Sequence, residues 1–163
     1  MANILRLTVV ILLTGLLVSC ATAPQTATSS NASPGKVRKV RTTAYTDNEG
    51  SGSNNAIGKR LVGAGIKSAA SDWSRFPLGT RFRIGGTEDE YIIDDYGGAL
   101  VGTNTIDLYK PSRLAMNRWG VRHVNIEIVK WGSEEESLRV LRPRKRTRLA
   151  RRMIASLESK RQL

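Results

Sequence analysis

Residues 91–109 read YIIDDYGGALVGTNTIDLY. Two short apolar segments in this stretch, 91–93 and Ile106, each run straight into aspartate: Asp94-Asp95 after the first and Asp107 after the second. Gly97-Gly98 and then Gly102 lie between them. Aliphatic runs bounded by glycines read as buried strands. A carboxylate at the end of a buried strand is costly to desolvate unless it has a partner or a task. Paired glycines permit positive φ and let a ligand come close to the backbone. The stretch therefore reads as a cleft floor with acids at its rim.

The flanks extend the pattern. Upstream, residues 80–84 alternate as Arg81-Phe82-Arg83-Ile84, a strand with one face in the core. Gly85-Gly86 turns the chain and residues 90–94 return as the next strand. Residues 65–70 are small and apolar enough for a tightly packed strand, with Asp72 just past its end and a short helical turn over 72–74. Residues 37–45 place Val37, Val40, Thr42 and Ala44 among lysines and arginines, which indicates a half-exposed strand. Residues 47–55 are a loop of Gly, Ser and Asn. Downstream, Pro111 is expected at the first helical position of a helix that carries Leu114, Ala115 and Trp119 and closes at Gly120. Val124, Ile126 and Ile128 then alternate with polar neighbours in a final strand over 121–131. About six short strands and one helix make a mainly β domain, best satisfied by a small closed barrel.

The motifs add a family to this pattern. Asp95-Tyr96-Gly97-Gly98-Ala99 followed by Ile106-Asp107-Leu108-Tyr109, with Asp72 ahead of Pro77-Leu78-Gly79-Thr80, resembles the 3D domain of bacterial peptidoglycan-cleaving lytic transglycosylases, named for three aspartates. The resemblance spans residues 42–131. Tyr96 stands where that family has a small hydroxyl residue, Asp95 and Asp107 are one position further apart than usual, and no proline directly follows Asp72. The resemblance implies a six-stranded double-psi β-barrel, a form that periodicity alone does not distinguish from other small barrels.

The two ends differ from this middle. Arg6 precedes an apolar run over 7–18 that ends Leu17-Val18-Ser19-Cys20, which reads as a secretory signal, too short for a confident membrane span. Its last four residues resemble the bacterial lipobox, which implies cleavage before Cys20 and lipidation of its thiol. Ala21 at the next position points to the outer membrane, facing the periplasm. The expected organisation is a signal peptide over 1–19, a flexible Ala/Thr/Ser/Pro linker over 20–36, the barrel over 37–132 and a basic helical tail over 133–163. In the tail, Ser133 and Glu136 form an expected capping box, a helix stops before Pro143, and a second helix runs from about Lys145. Leu149, Met153 and Leu157 recur every four positions there, opposite a face of arginines. That helix either packs on the domain, stays solvated, or meets anionic lipid or wall phosphate.

Composition sets limits. The chain of 163 residues allows one domain plus extras. Its formal net charge is +12, but the cations crowd the C-terminal end. One cysteine and one histidine exclude an internal disulfide and a Cys/His zinc site. No metal or cofactor is expected. Nucleic-acid binding by the basic tail is set aside because the export signal removes the chain from its partner.

Cleavage of a glycosidic bond needs an acid that protonates the leaving oxygen. The resemblance implies a reaction in which the sugar's own 6-hydroxyl attacks, cleaving the MurNAc–GlcNAc bond with 1,6-anhydro-MurNAc ends. One carboxylic acid then suffices, provided that burial or a like-charged neighbour keeps its proton near neutral pH. By motif, Asp107 is the expected acid, Asp95 its orienting or charge-stabilising partner, and Asp72 a support. Asp94 is adjacent to Asp95 and is expected to face outward, because strand neighbours alternate. Lys59, Arg60, Gly97, Gly98 and Tyr45 are candidate substrate contacts. Tyr45 and Trp73 offer rings either for sugar stacking or for the core. His123 reads as structural. The alternative to an enzyme is a non-catalytic module that binds cell-wall glycan with the same barrel.

Overall fold

The structure is a computed structural model that describes residues 35–47 and 52–162. The expected signal peptide, Cys20 and most of the linker lie outside the described residues. Among the described residues no helix is long and apolar enough to cross a membrane.

Six strands close a barrel: β1 (Val37–Tyr45), β2 (Lys67–Ala70), β3 (Arg81–Ile84), β4 (Glu90–Asp95), β5 (Thr105–Tyr109) and β6 (Arg122–Lys130). Their order around the barrel is β1-β5-β2-β4-β3-β6, returning to β1. Two neighbouring pairs are parallel, β1 with β5 and β2 with β4, and the other four are antiparallel. Closure leaves no free edge, so each strand has two partners. The mainly β, six-stranded barrel expected from the sequence is present.

Alternation assigns each strand its inner face. On β1, Val40 and Thr42 are buried between exposed Lys39 and Arg41. On β3, Phe82 and Ile84 point inward while Arg81 and Arg83 reach Glu90 on β4. Phe82 stacks on Tyr91 with ring centroids 5.5 Å apart, and Ile93, Ile106, Leu108, Ile126 and Ile128 complete the centre. Fully burying a side chain of this size stabilises the fold by roughly 1.5–3 kcal/mol.

Helix α1 (Arg113–Trp119) is capped by Ser112, whose hydroxyl accepts from the Ala115 amide, and ends at Gly120 with φ of 61°. Pro111 therefore precedes the cap and does not hold the first helical position. The residue that can accept a hydrogen bond takes the cap.

The C-terminal segment takes the first of the alternatives left open by its sequence and packs on the barrel. Helix α2 (Glu134–Leu141) is capped by Ser133, which accepts from the Glu136 amide. The Glu136 carboxylate turns to Arg139 instead of closing the capping box. A 3₁₀ turn, Arg142–Arg144, carries Pro143 at its start, and α3 (Arg148–Lys160) follows, capped by Thr147. Leu138, Leu141, Ala150, Met153 and Leu157 are buried in one cluster with the barrel core. Ser137 accepts from the Leu78 amide, and the Lys160 ammonium donates to the Ser74 carbonyl. The segment is thus no solvated appendage beginning at 133. Its apolar stripe completes the core, and only its arginine face stays in water.

Candidate active site

Strand pairing brings the acids together. Ala70 is paired with Asp107 on one side and with Asp95 on the other. Directly paired residues share a face, so both carboxylates flank the smallest non-glycine side chain in the strand between them. Two strand spacings separate their backbones by about 10 Å. Asp95, Ala70 and Asp107 line one cleft of about 190 Å³ with Tyr45, Thr46, Gly52, Tyr96, Gly97 and Leu100.

Each acid has named partners. The Thr43 hydroxyl donates to Asp107 Oδ1 at 2.6 Å, an expected consequence of Thr43 lying opposite Asp107 on β1. The Tyr45 hydroxyl, Oη, donates to Asp95 Oδ2 at 3.4 Å. The Tyr96 amide donates to Asp95 Oδ1 at 2.9 Å, and the nearby Ala56 amide favours the ionised form of this carboxylate. The Trp73 indole donates to the Asp95 carbonyl at 2.8 Å.

Asp94 does not face outward. Ala69 pairs with Ile93 and Ala70 with Asp95, so Asp94 is the extra residue of a β-bulge. The bulge breaks the alternation on which the outward expectation rested. Asp94 is buried, and its Oδ2 accepts from Asn55 at 2.8 Å and Ser68 at 2.7 Å, while Oδ1 has no hydrogen-bond partner.

Burial is the main influence on proton affinity here. It raises the Asp95 pKa, helped by the Asp94 charge and opposed by the Tyr96 and Ala56 amides and the Tyr45 hydroxyl. It raises the Asp94 pKa as well, against the Ser68 and Asn55 bonds. The Tyr45 hydroxyl is pushed above its ordinary range by burial and by the charges of Asp95, Asp94 and Asp107. Among the described residues, no lysine or arginine pairs with Asp94 or Asp95. The group can hold a proton and supply a hydrogen-bonded carboxylate beside it.

The other candidates fall elsewhere. Asp72 is buried but does not line the cleft: Oδ1 accepts from the Ser74 amide and hydroxyl, and Oδ2 from the Gly102 amide at 2.7 Å. It ties the turn after β2 to the loop before β5. Lys59 and Arg60 are exposed and outside the cleft. The Lys59 backbone instead holds Asn55, whose Oδ1 accepts its amide. Gly97 lines the cleft and Gly98 is exposed, but neither has positive φ. A Cβ on Gly97 would come within 3.3 Å of the Leu100 side chain, which would have to give by a few tenths of an ångström. Positive φ in this loop belongs to Gly102, at 88°. Trp73 is fully buried, which assigns it to the core, whereas Tyr45 stands at the cleft. His123 is exposed on β6, beside a shallow depression lined by Lys39 and Asn104. Sequence reasoning missed Thr43, Asn55, Ser68 and Tyr96. Each is an ordinary polar residue whose role appears only once the barrel closes.

A second concavity of about 820 Å³ lies on the C-terminal segment, with Arg142, Lys145, Arg146 and Arg151 around Ile154 and Ala155.

Residues 67–130 match the family described as the 3D domain. This part of the chain is similar to that domain. Two relatives come from Bacillus subtilis (strain 168). YabE, named for cell wall shaping, is 36% identical over 102 residues, covering 61% of this chain and 25% of that protein. The cell wall-binding protein YocH is 34% identical over 103 residues, covering 62% of this chain and 35% of its own length. The chain thus spans a quarter to about a third of these relatives. Among solved structures, the lytic transglycosylase MltA from Escherichia coli aligns with 25% identity and a TM-score of 0.39, over 49% of this chain and 28% of that one.

Proposed function

We propose that this domain acts on the bacterial cell wall as a peptidoglycan lytic transglycosylase. The observation that carries the reading is the pair Asp95 and Asp107 on either side of Ala70 in one cleft. Asp107 donates a proton to the leaving oxygen O4 of GlcNAc as the bond from C1 of MurNAc breaks. The 6-hydroxyl oxygen of the same MurNAc attacks C1, and its proton passes to the Asp107 carboxylate. No water is consumed, and the products are a 1,6-anhydro-MurNAc end and a free 4-hydroxyl. Asp95, held by Tyr45 and the Tyr96 amide, stabilises positive charge at C1. Burial and the Asp94 charge favour retention of a proton on Asp95. Appearance of anhydro-ended muropeptides when purified protein meets sacculi tests the reading.

A second reading is favoured by the size of the cleft. At about 190 Å³ it is below the usual range for ligand pockets, roughly 300–1,000 Å³. A barrel that holds glycan without cutting it also accords with YocH, named as cell wall-binding. Binding to sacculi with no anhydro product would select it.

Lipidation at Cys20 and a periplasm-facing place at the outer membrane belong to the same proposal, as does attraction of anionic lipid or wall phosphate by the arginine face. A Cys20→Ala variant that stays membrane-bound and is normally processed would remove the anchor from it.

A further inference from the structure

Arg144 reaches from the 3₁₀ turn to both walls of the aspartate cleft. Its Nη2 donates to the Ala56 carbonyl at 2.7 Å, and its Nη1 to the Tyr96 hydroxyl at 3.3 Å, with the guanidinium 6.0 Å from the centre of that ring. The Tyr96 amide donates to Asp95 Oδ1, and the Ala56 amide favours the same carboxylate in its ionised form. One fork therefore holds the Ala56 backbone through its carbonyl and Tyr96 through its ring hydroxyl. The Tyr96 ring is also braced edge-on by Trp73 at 5.0 Å, and the Arg144 carbonyl accepts from the Thr147 amide and hydroxyl at the start of α3. The fork is anchored on a helix whose apolar side is in the core.

We propose that Arg144 is a positioning residue for Asp95: by holding the Ala56 backbone and the Tyr96 ring it fixes the residues beside this carboxylate, Tyr96 through the amide that orients it. Its catalytic relevance rests on the transglycosylase reading, but the geometry does not. A planar guanidinium suits the task because it presents two donors at a fixed angle, whereas a lysine ammonium is a single point on a flexible stem. Both amides favour the ionised carboxylate, so loosening them moves Asp95 toward its protonated form. The ionisable groups facing Asp95 are Asp94 on its own strand, Tyr45 on β1 and Asp107 on β5. Asp94 opposes its ionisation, while the Tyr45 hydroxyl and the amides favour it, and the amides are the part that Arg144 controls.

The test is a carboxyl-carbon NMR titration of the full folded chain labelled at aspartate. The Asp95 signal is assigned by its loss in Asp95→Asn. Arg144→Gln and Arg144→Lys are compared with Arg151→Gln, which removes an equal charge from the exposed face. The Asp95 midpoint is expected to rise by about one pH unit in Arg144→Gln and by less in Arg144→Lys, in keeping with hydrogen bonds to a charged group. It should stay put in Arg151→Gln. The Ala56 and Tyr96 amides should exchange faster with solvent in both Arg144 variants. An unchanged midpoint in folded Arg144→Gln overturns the proposal. So does an equal rise in Arg151→Gln, which would reduce the effect to net charge, or an Arg144→Lys titration and exchange indistinguishable from the unmodified chain. If Arg144→Gln does not fold, Arg144→Lys alone decides. None of these readouts uses cleavage, so a failed transglycosylase assay leaves this result standing, and the reverse also holds.

Discussion

The Tyr45 hydroxyl and Asp95 Oδ2 lie 3.4 Å apart, one at the end of β1 and the other at the end of β4. These strands are not neighbours in the barrel, so the bond crosses the cleft and ties two of its walls. The hydroxyl stabilises the ionised carboxylate. Tyr45→Phe removes only that oxygen and keeps the edge contact with Tyr109. The Asp95 midpoint should therefore rise by several tenths of a pH unit to about one, with little loss of stability. A carboxyl titration that finds no rise would mean that the bond is not made in solution.

Asp107→Asn is nearly isosteric and can still accept from Thr43, so folding should survive, as circular dichroism would verify. It cannot donate a carboxylic proton. Release of anhydro-muropeptides should fall by about 10²–10⁴-fold, the usual worth of a general acid. Glycan binding should persist. A folded variant that cleaves at the unmodified rate would take the acid role away from Asp107.

Asp94→Asn tests the buried bulge. Its carboxyl pKa is raised in the folded protein by burial, so the folded state holds this proton more tightly than the unfolded chain. That contribution to stability is fully present below the unfolded value, near pH 4, and is lost as pH rises through the folded value. The amide never ionises. The variant should melt higher than the unmodified protein at neutral pH, by about 3–6 °C for each pH unit of displacement, and the two should converge near pH 4. Calorimetry from pH 4 to 8 would show it, and a melting difference independent of pH would contradict it.

Met153→Ala tests whether the C-terminal helix belongs to the core. The side chain is fully buried, and its truncation should cost about 2–5 kcal/mol in a denaturant titration. Removal of the segment after Leu141 should lower the melting temperature of the barrel itself. A barrel that melts unchanged without α3 would restore the view of a separate tail.

The basic groove can be tested at the surface. Arg146→Glu with Arg151→Glu should weaken binding to anionic vesicles and to phosphate-rich sacculi by about tenfold or more at low salt. The difference should shrink as salt screens it, since the Debye length is only about 3 Å at 1 M. Equal binding at low salt would leave these arginines as solubilising charges.

Much of this was legible in the residues. Strands with strict alternation, such as Arg81-Phe82-Arg83-Ile84, declared their faces because period two needs no tertiary knowledge. Asp95 and Asp107 stood out as acids next to buried apolar residues. Asp94 misled for the same reason that the strands succeeded: a bulge inserts one residue and cancels the period, and pairing alone reveals it. Thr43 and Asn55 carry no signal of their own, since their partners lie 64 and 39 positions away. The stripe of Leu149, Met153 and Leu157 was visible, but a stripe does not say which surface it will cover.

Barrel closure has a temporal side. β1 opens the described chain, yet one of its two partners is β6, and the last side chains to enter the core come from α3, up to Leu157. A nascent chain that lacks its final segment has an unsealed sheet and an unfinished interior. It cannot commit to its native state until Leu157 has been made. Contacts that span this much sequence also form slowly. Until residue 157 has been added, such a polypeptide remains open enough to be threaded.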